Sequence, residues 1–190
     1  MFDWNLLINV FLEKNKIINL SAIRDKEWVY IKHIQDSLEL EKIINRNEWM
    51  NIADVWTWWW FPLMPLAITH PECNFVWIDS VKKKTIAVED MLCELWVKNV
   101  EMIWWRMEEI KWIEFDLITA RAVAYSDKLL NWVTPLVKKN WKIALMKQAN
   151  GDEKNVILSE CKKKNLTLEV EHHYTLFEWD IDRVIYVLKR

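Results

Sequence analysis

Leu6, Leu7, Val10 and Phe11 recur at helical spacing within residues 2–14, and Val29, Ile31, Ile34, Leu38 and Leu40 repeat that spacing across 26–44. The more polar stretch Asn19-Leu20-Ser21-Ala22-Ile23-Arg24-Asp25 between them reads as a connecting loop. From Asn51 the pattern changes to short, continuous apolar runs alternating with amphipathic segments. The runs predict strands at 51–56, 74–79, 100–104, 115–120, 141–147, 166–174 and 181–188, with helices at 62–69, 81–95, 126–134 and 152–164. Strands spaced by helices of this length form βαβ units, which implies an α/β protein with a mostly parallel, seven-stranded sheet. Only a short turn near Glu178-Trp179-Asp180 separates the last two strands, so they are expected to form an antiparallel hairpin at one edge. The expected organisation is one domain over 1–190, with a helical N-terminal extension (1–45) ahead of a Rossmann-like core (46–190).

Composition narrows the functional classes. Hydrophobic residues make up 52% and charged residues 28% of the 190 positions, which is the balance of a folded chain. A net charge of −2 gives no global field to attract nucleic acid, so RNA binding would need a local patch. Cys73, Cys93 and Cys161 are isolated, and the four histidines lack metal-ligand spacing, so no metal site is expected. No basic-then-apolar leader and no apolar run of membrane-spanning length is visible, which leads to the expectation of a soluble, cytoplasmic protein, free of the membrane.

Glycine changes the picture most. The chain has one glycine and 15 tryptophans, whereas a domain of this length ordinarily carries about 13 glycines. The tryptophans stand where glycine chemistry is wanted. Asp54-Val55-Trp56-Thr57-Trp58-Trp59-Trp60-Phe61-Pro62 follows an apolar strand and opens a helix. A ligand approaches such a βα turn only where the backbone is bare, and tryptophan resists the positive φ that tight turns impose. Taken literally, the run is an aromatic cluster of the kind more often found in cores. Read as glycine, it becomes D-V-G-T-G-G-G, a nucleotide-type loop led by an acid. Ile78-Asp79-Ser80 then ends the next strand 23 residues after Trp56, where an acid accepts hydrogen bonds from ribose hydroxyls. Positions 56, 58, 60, 96, 105, 141 and 179 are accordingly read as glycine positions, the product of a reassigned codon rendered as Trp. Trp132, inside a helix, is read as a true tryptophan.

With glycines restored, ordered motifs over 15–190 resemble the ribosomal RNA small-subunit methyltransferase G family, also called the glucose-inhibited division protein B family. Asn19–Asp25 is similar to its N-L-T-x-I-R-D, and Lys32-His33-Ile34-Gln35-Asp36-Ser37-Leu38 to its R-H-x-x-D-S-L. The loop through Phe61-Pro62 resembles D-V-G-T-G-x-G-F-P, and Asp79–Lys84 resembles D-S-x-x-K-R. Trp105-Arg106-Met107-Glu108-Glu109 resembles G-R-A-E-E, with Met107 in place of Ala, and Thr119–Val123 resembles S/T-R-A-V. The resemblance implies a class I S-adenosylmethionine-dependent methyltransferase fold. It also implies methyl transfer from S-adenosylmethionine to N7 of a guanine in 16S rRNA of the small ribosomal subunit, by a protein expected to be monomeric. Cofactor contacts are implied at Trp56 (as glycine), Phe61, Asp79, Met107, Glu108 and Arg121.

Guanine N7 is a neutral lone-pair nucleophile, so transfer needs positioning and exclusion of water, with no base to remove a proton. No catalytic residue is assigned, in keeping with the lack of a nucleophile–base arrangement. Arg24, Lys32, Lys82 and Lys147, with Lys83, Lys84, Lys138 and Lys139, are candidate RNA-phosphate contacts, although such charge runs are commonly just solvated faces. His33 and Asp36, one helical turn apart, are read as a local pair. The alternative to an enzyme is a non-catalytic, Trp-rich relative whose indoles fill the cofactor pocket, leaving an RNA-binding or interaction role.

Overall fold

The apolar runs of the core form a seven-stranded sheet in the computed structural model, which describes residues 2–19, 21–44, 49–55, 60–121, 125–149, 151–176 and 181–190. The strands are β1 (Asn51–Val55), β2 (Asn74–Asp79), β3 (Val100–Trp104), β4 (Phe115–Arg121), β5 (Val137–Gln148), β6 (Thr167–Leu176) and β7 (Ile181–Lys189). Their order across the sheet is β3-β2-β1-β4-β5-β7-β6. The first five are parallel, whereas β7 runs antiparallel to both β5 and β6. The chain reverses its winding direction between β1 and β4, so the crevice beyond their carboxyl ends is the topological switch point where ligands bind in doubly wound sheets.

Side-chain alternation explains why the central strands read as apolar runs: in β1, β2 and β4 every residue except those at strand ends is buried, on alternate faces. On one face Ile52, Phe75, Trp77, Leu117, Ala144 and Met146 pack under α1 (Trp4–Ile18), α4 (Leu63–Thr69) and α5 (Lys82–Glu94). On the other, Ala53, Val76, Ile78, Ile118, Ile143 and Leu145 pack under α6 (Ser126–Val133) and α7 (Gly151–Lys164). Asp3 caps α1 by accepting from Asn5 N (2.9 Å), and Asn19 ends it in the left-handed conformation (φ 50°).

The expected second helix of the extension is real but not uniform. It divides into α2 (Lys26–Val29), a π-helical stretch Tyr30–Gln35, α3 (Asp36–Leu38) and a 3-10 turn Glu39–Lys42. Asp25 caps its start, accepting from Glu27 N and Trp28 N. β5 begins at Val137, earlier than the expected 141. Its pairing with β4 jumps from Phe115↔Val137 to Leu117↔Lys142, so the extra residues form a bulge, with Asn140 at φ 71°.

No helix of the described residues is long and apolar enough to cross a membrane. Among the same residues no group of three or more His, Cys, Asp or Glu is placed to hold a metal ion.

Candidate active site

Three of the implied cofactor contacts meet in one cleft. Asp79, at the carboxyl end of β2, faces Met107 and Glu108, which lie on the 3-10 turn Met107–Glu109 just after β3. The cleft has a volume of about 410 Å³ and is also lined by Ile78, Ser80, Val81, Lys84, Trp105, Arg106 and Trp132. One Asp79 oxygen accepts from Val81 N (2.7 Å) and the other lies 3.5 Å from Lys84 Nζ. A carboxylate offers about four acceptor positions, so capacity remains for hydroxyl groups of a ligand. The chemistry of this cleft therefore fits a ribose beside Asp79 and an adenine flanked by Met107.

Phe61 and Arg121 lie elsewhere at the same edge of the sheet. Phe61 is only 1% exposed; it stacks on His33 (4.7 Å, 15° between planes) and meets Phe11 edge-on. Trp56 lies outside the described residues, as do Trp58 and Trp59. Asp54 is buried at the end of β1 and accepts from Thr119 Oγ1 at 2.8 Å. Arg121, at the end of β4, forms an ion pair with Asp36 (Nη2–Oδ2, 2.8 Å) and donates to the Lys32 carbonyl.

His33 and Asp36 are thus not a local pair, which corrects the sequence reading. The π-helical winding sends them to different partners: His33 to Phe61 and to Ser21 Oγ (3.3 Å), Asp36 to Arg121 and to the Tyr174 hydroxyl (2.6 Å). Burial, reinforced by the positive Arg121 and then Lys32 and Arg183, holds the His33 pKa well below the usual histidine range, so the ring is neutral at pH 7. Arg183, on β7, is a residue the sequence reading missed. Its Nε lies 4.0 Å from Asp36 Oδ1, a proximity created by the hairpin register Tyr174↔Arg183.

The candidate RNA contacts separate into two groups. Lys82 and Lys83 are exposed at the start of α5, beside the cleft, with Lys82 Nζ 5.0 Å above the Trp104 ring. Lys32 is half-buried over Trp28 (4.0 Å), and Arg24 is exposed, donating to Asn19 Oδ1 at 2.6 Å. Lys147 does not belong to an exposed rim: it is 7% exposed and bonds Glu153 at 2.6 Å. Lys138 and Lys139 stand at the opposite end of β5 from the ligand edge, with Lys138 paired to Asp116 (2.8 Å).

The tryptophans read as glycines carry two backbone signatures. Trp60 (φ 63°) and Trp96 (φ 56°) adopt the left-handed conformation, which costs a non-glycine residue about 1–2 kcal/mol. Trp105 and Trp141 do not, and Trp179 is outside the described residues. Trp60 is also 2% exposed, with an indole N–H that has no hydrogen-bond partner among the described residues.

Known proteins share both the sequence pattern and the architecture. The chain is 31% identical over 190 residues to the ribosomal RNA small subunit methyltransferase G of Lysinibacillus sphaericus, covering 95% of this chain and 79% of that protein. It is 31% identical over 197 residues to the Bacillus subtilis protein of the same name, covering 99% and 81%. Among solved structures, a ribosomal protein L11 methylase from Lactobacillus delbrueckii superposes with a TM-score of 0.63 at 12% identity, covering 84% of this chain and 78% of that one. M. jannaschii TYW2 in complex with AdoMet superposes at 0.64 with 13% identity, covering 83% and 74%. These likenesses establish the class I methyltransferase fold. A family model described as rRNA small subunit methyltransferase G matches residues 3–178, and the chain belongs to that family.

Proposed function

We propose that this chain transfers a methyl group from S-adenosylmethionine to N7 of a guanine in 16S rRNA. The observation that carries the reading is the meeting of Asp79, Met107 and Glu108 in one cleft at the carboxyl ends of β2 and β3, beside the switch point. The cofactor supplies an electrophilic methyl group on a sulfonium. Asp79 would hold the ribose, Met107 and Glu108 would flank the adenine, and Phe61, pinned by His33, would back the site. Arg121 would contact ligand at the end of β4. With the cofactor bound, the guanine N7 lone pair would accept the methyl group and the bond electrons would leave with the thioether, so no side chain would have to move a proton. Catalysis then rests on in-line placement in a dry site, and the packed Phe11–Phe61–His33 aromatics supply the rigid backing this needs.

The functional polypeptide carries glycine at 56, 58, 60 and 96. The left-handed backbone at Trp60 and Trp96, and the buried Trp60 indole N–H without a partner among the described residues, support this. The gene should show UGA at these positions. Isothermal titration of the glycine-bearing chain with S-adenosylmethionine should give micromolar-range binding, and methyl transfer to small subunits should exceed transfer to free nucleosides. Equally tight binding by the tryptophan-bearing chain, or UGG throughout the gene, would sink the glycine reading. Transfer to nucleosides alone would sink the rRNA substrate.

A further inference from the structure

Asp36 is 1% exposed and gathers three side chains from distant parts of the chain. Its Oδ2 meets Arg121 Nη2 at 2.8 Å; its Oδ1 accepts from the Tyr174 hydroxyl at 2.6 Å and lies 4.0 Å from Arg183 Nε. Arg121 is fixed a second time by the carbonyl of Lys32, within the π-helical stretch, a winding that recurs at functional sites. Burial and the adjacent Asp36 carboxylate drive the Tyr174 pKa far upward, so the hydroxyl stays protonated and remains a donor.

A latch that merely fastened the N-terminal helices to the sheet would not need this chemistry. Withdrawing charges from water costs several kcal/mol per ion, and apolar residues fill such contacts as well or better. Nor is the cluster internally matched. Among the described residues, two guanidinium groups face one carboxylate, His33 is neutral, and Arg121 Nη1 and Arg183 Nε have no hydrogen-bond partner. The surplus among these described side chains is positive, at the carboxyl end of β4, on the edge that holds the cleft. We propose that Asp36 is a positioning residue: with Tyr174 and the Lys32 carbonyl it locks the Arg121 guanidinium in the orientation that meets ligand. The inference rests on the ligand role given to Arg121 above.

The test is a double-mutant cycle in the glycine-bearing chain, reading kcat and KM for S-adenosylmethionine and for small subunits alongside the melting temperature. Asp36→Asn keeps the shape and removes the charge. It should lower kcat/KM about tenfold or more, as misplaced groups do, and Asp36→Asn with Arg121→Ala should be no worse than Arg121→Ala alone. Asp36→Glu, which restores the charge, should recover part of the loss. Tyr174→Phe leaves the ion pair intact and should lower kcat/KM several-fold with little change in melting temperature. Multiplying losses in the double variant, or full activity in Asp36→Asn or Tyr174→Phe, would overturn the positioning role. A harmless Arg121→Ala would remove Arg121 from the ligand set and overturn both readings, whereas a damaging Arg121→Ala beside a harmless Asp36→Asn would overturn this one alone.

Discussion

His33 shows how far a single residue's role depends on burial. Its ring is stacked on Phe61 and held neutral by desolvation and by Arg121. Because the folded-state pKa is depressed, the unfolded chain binds the proton first as pH falls below the ordinary value of 6.5. Stability is therefore full above that value and declines as pH drops towards 5, by up to about 1.4 kcal/mol per pH unit for one group. That window lies above the carboxylate range, so the loss is separable from acid denaturation. Urea midpoints should fall between pH 7 and pH 5.5, and His33→Phe should flatten the trend; an unchanged slope in the variant would assign the loss to another group. That Asp79, Met107 and Glu108 share one cleft was legible because their motifs each lie within one strand end or turn. The partners of His33 and Asp36 were not, because a spacing of three cannot reveal a π-helical winding that turns the two side chains apart.

Helix ends carry the clearest element-scale signal. At the end of α5, Val97 N bonds Leu92 O (3.0 Å) and Trp96 N bonds Cys93 O (3.2 Å), the paired pattern of a Schellman cap with Trp96 at its left-handed position. Trp96 is 80% exposed, so its indole contributes little packing and the backbone cost dominates. Trp96→Gly should stabilise the chain by about 1 kcal/mol after allowing for glycine's greater freedom when unfolded. Chemical denaturation checks this: a midpoint that fails to rise would show that the indole earns its place through contacts made on the surface. The helix boundary was readable because cap and amphipathic pattern end together at 94–96. The start of β5 was not, because the bulge around Asn140 interrupts the apolar alternation on which strand limits depend.

At the scale of the whole molecule, a chain of net charge −2 that acts on RNA must concentrate its cations. The sheet direction decides which cations count. Lys82 and Lys83 follow β2 and open α5 beside the cleft, whereas Lys138 and Lys139 are about 30 Å away at the other end of β5, at roughly 3.3 Å per residue. The lysine runs themselves look alike in the sequence; their division follows from the parallel topology, which puts one pair after a strand and the other at the start of one. If Lys82 and Lys83 each contact a phosphate, Lys82→Ala with Lys83→Ala should raise KM for small subunits. It should also reduce the slope of log affinity against log salt by about 1.4, at ~0.7 per phosphate contact on single-stranded RNA. Lys138→Ala with Lys139→Ala changes the net charge by the same amount and should leave that slope unchanged. Equal effects from the two pairs would mean that the RNA responds to total charge and not to the ligand edge, and would remove the lysines of α5 from the binding surface.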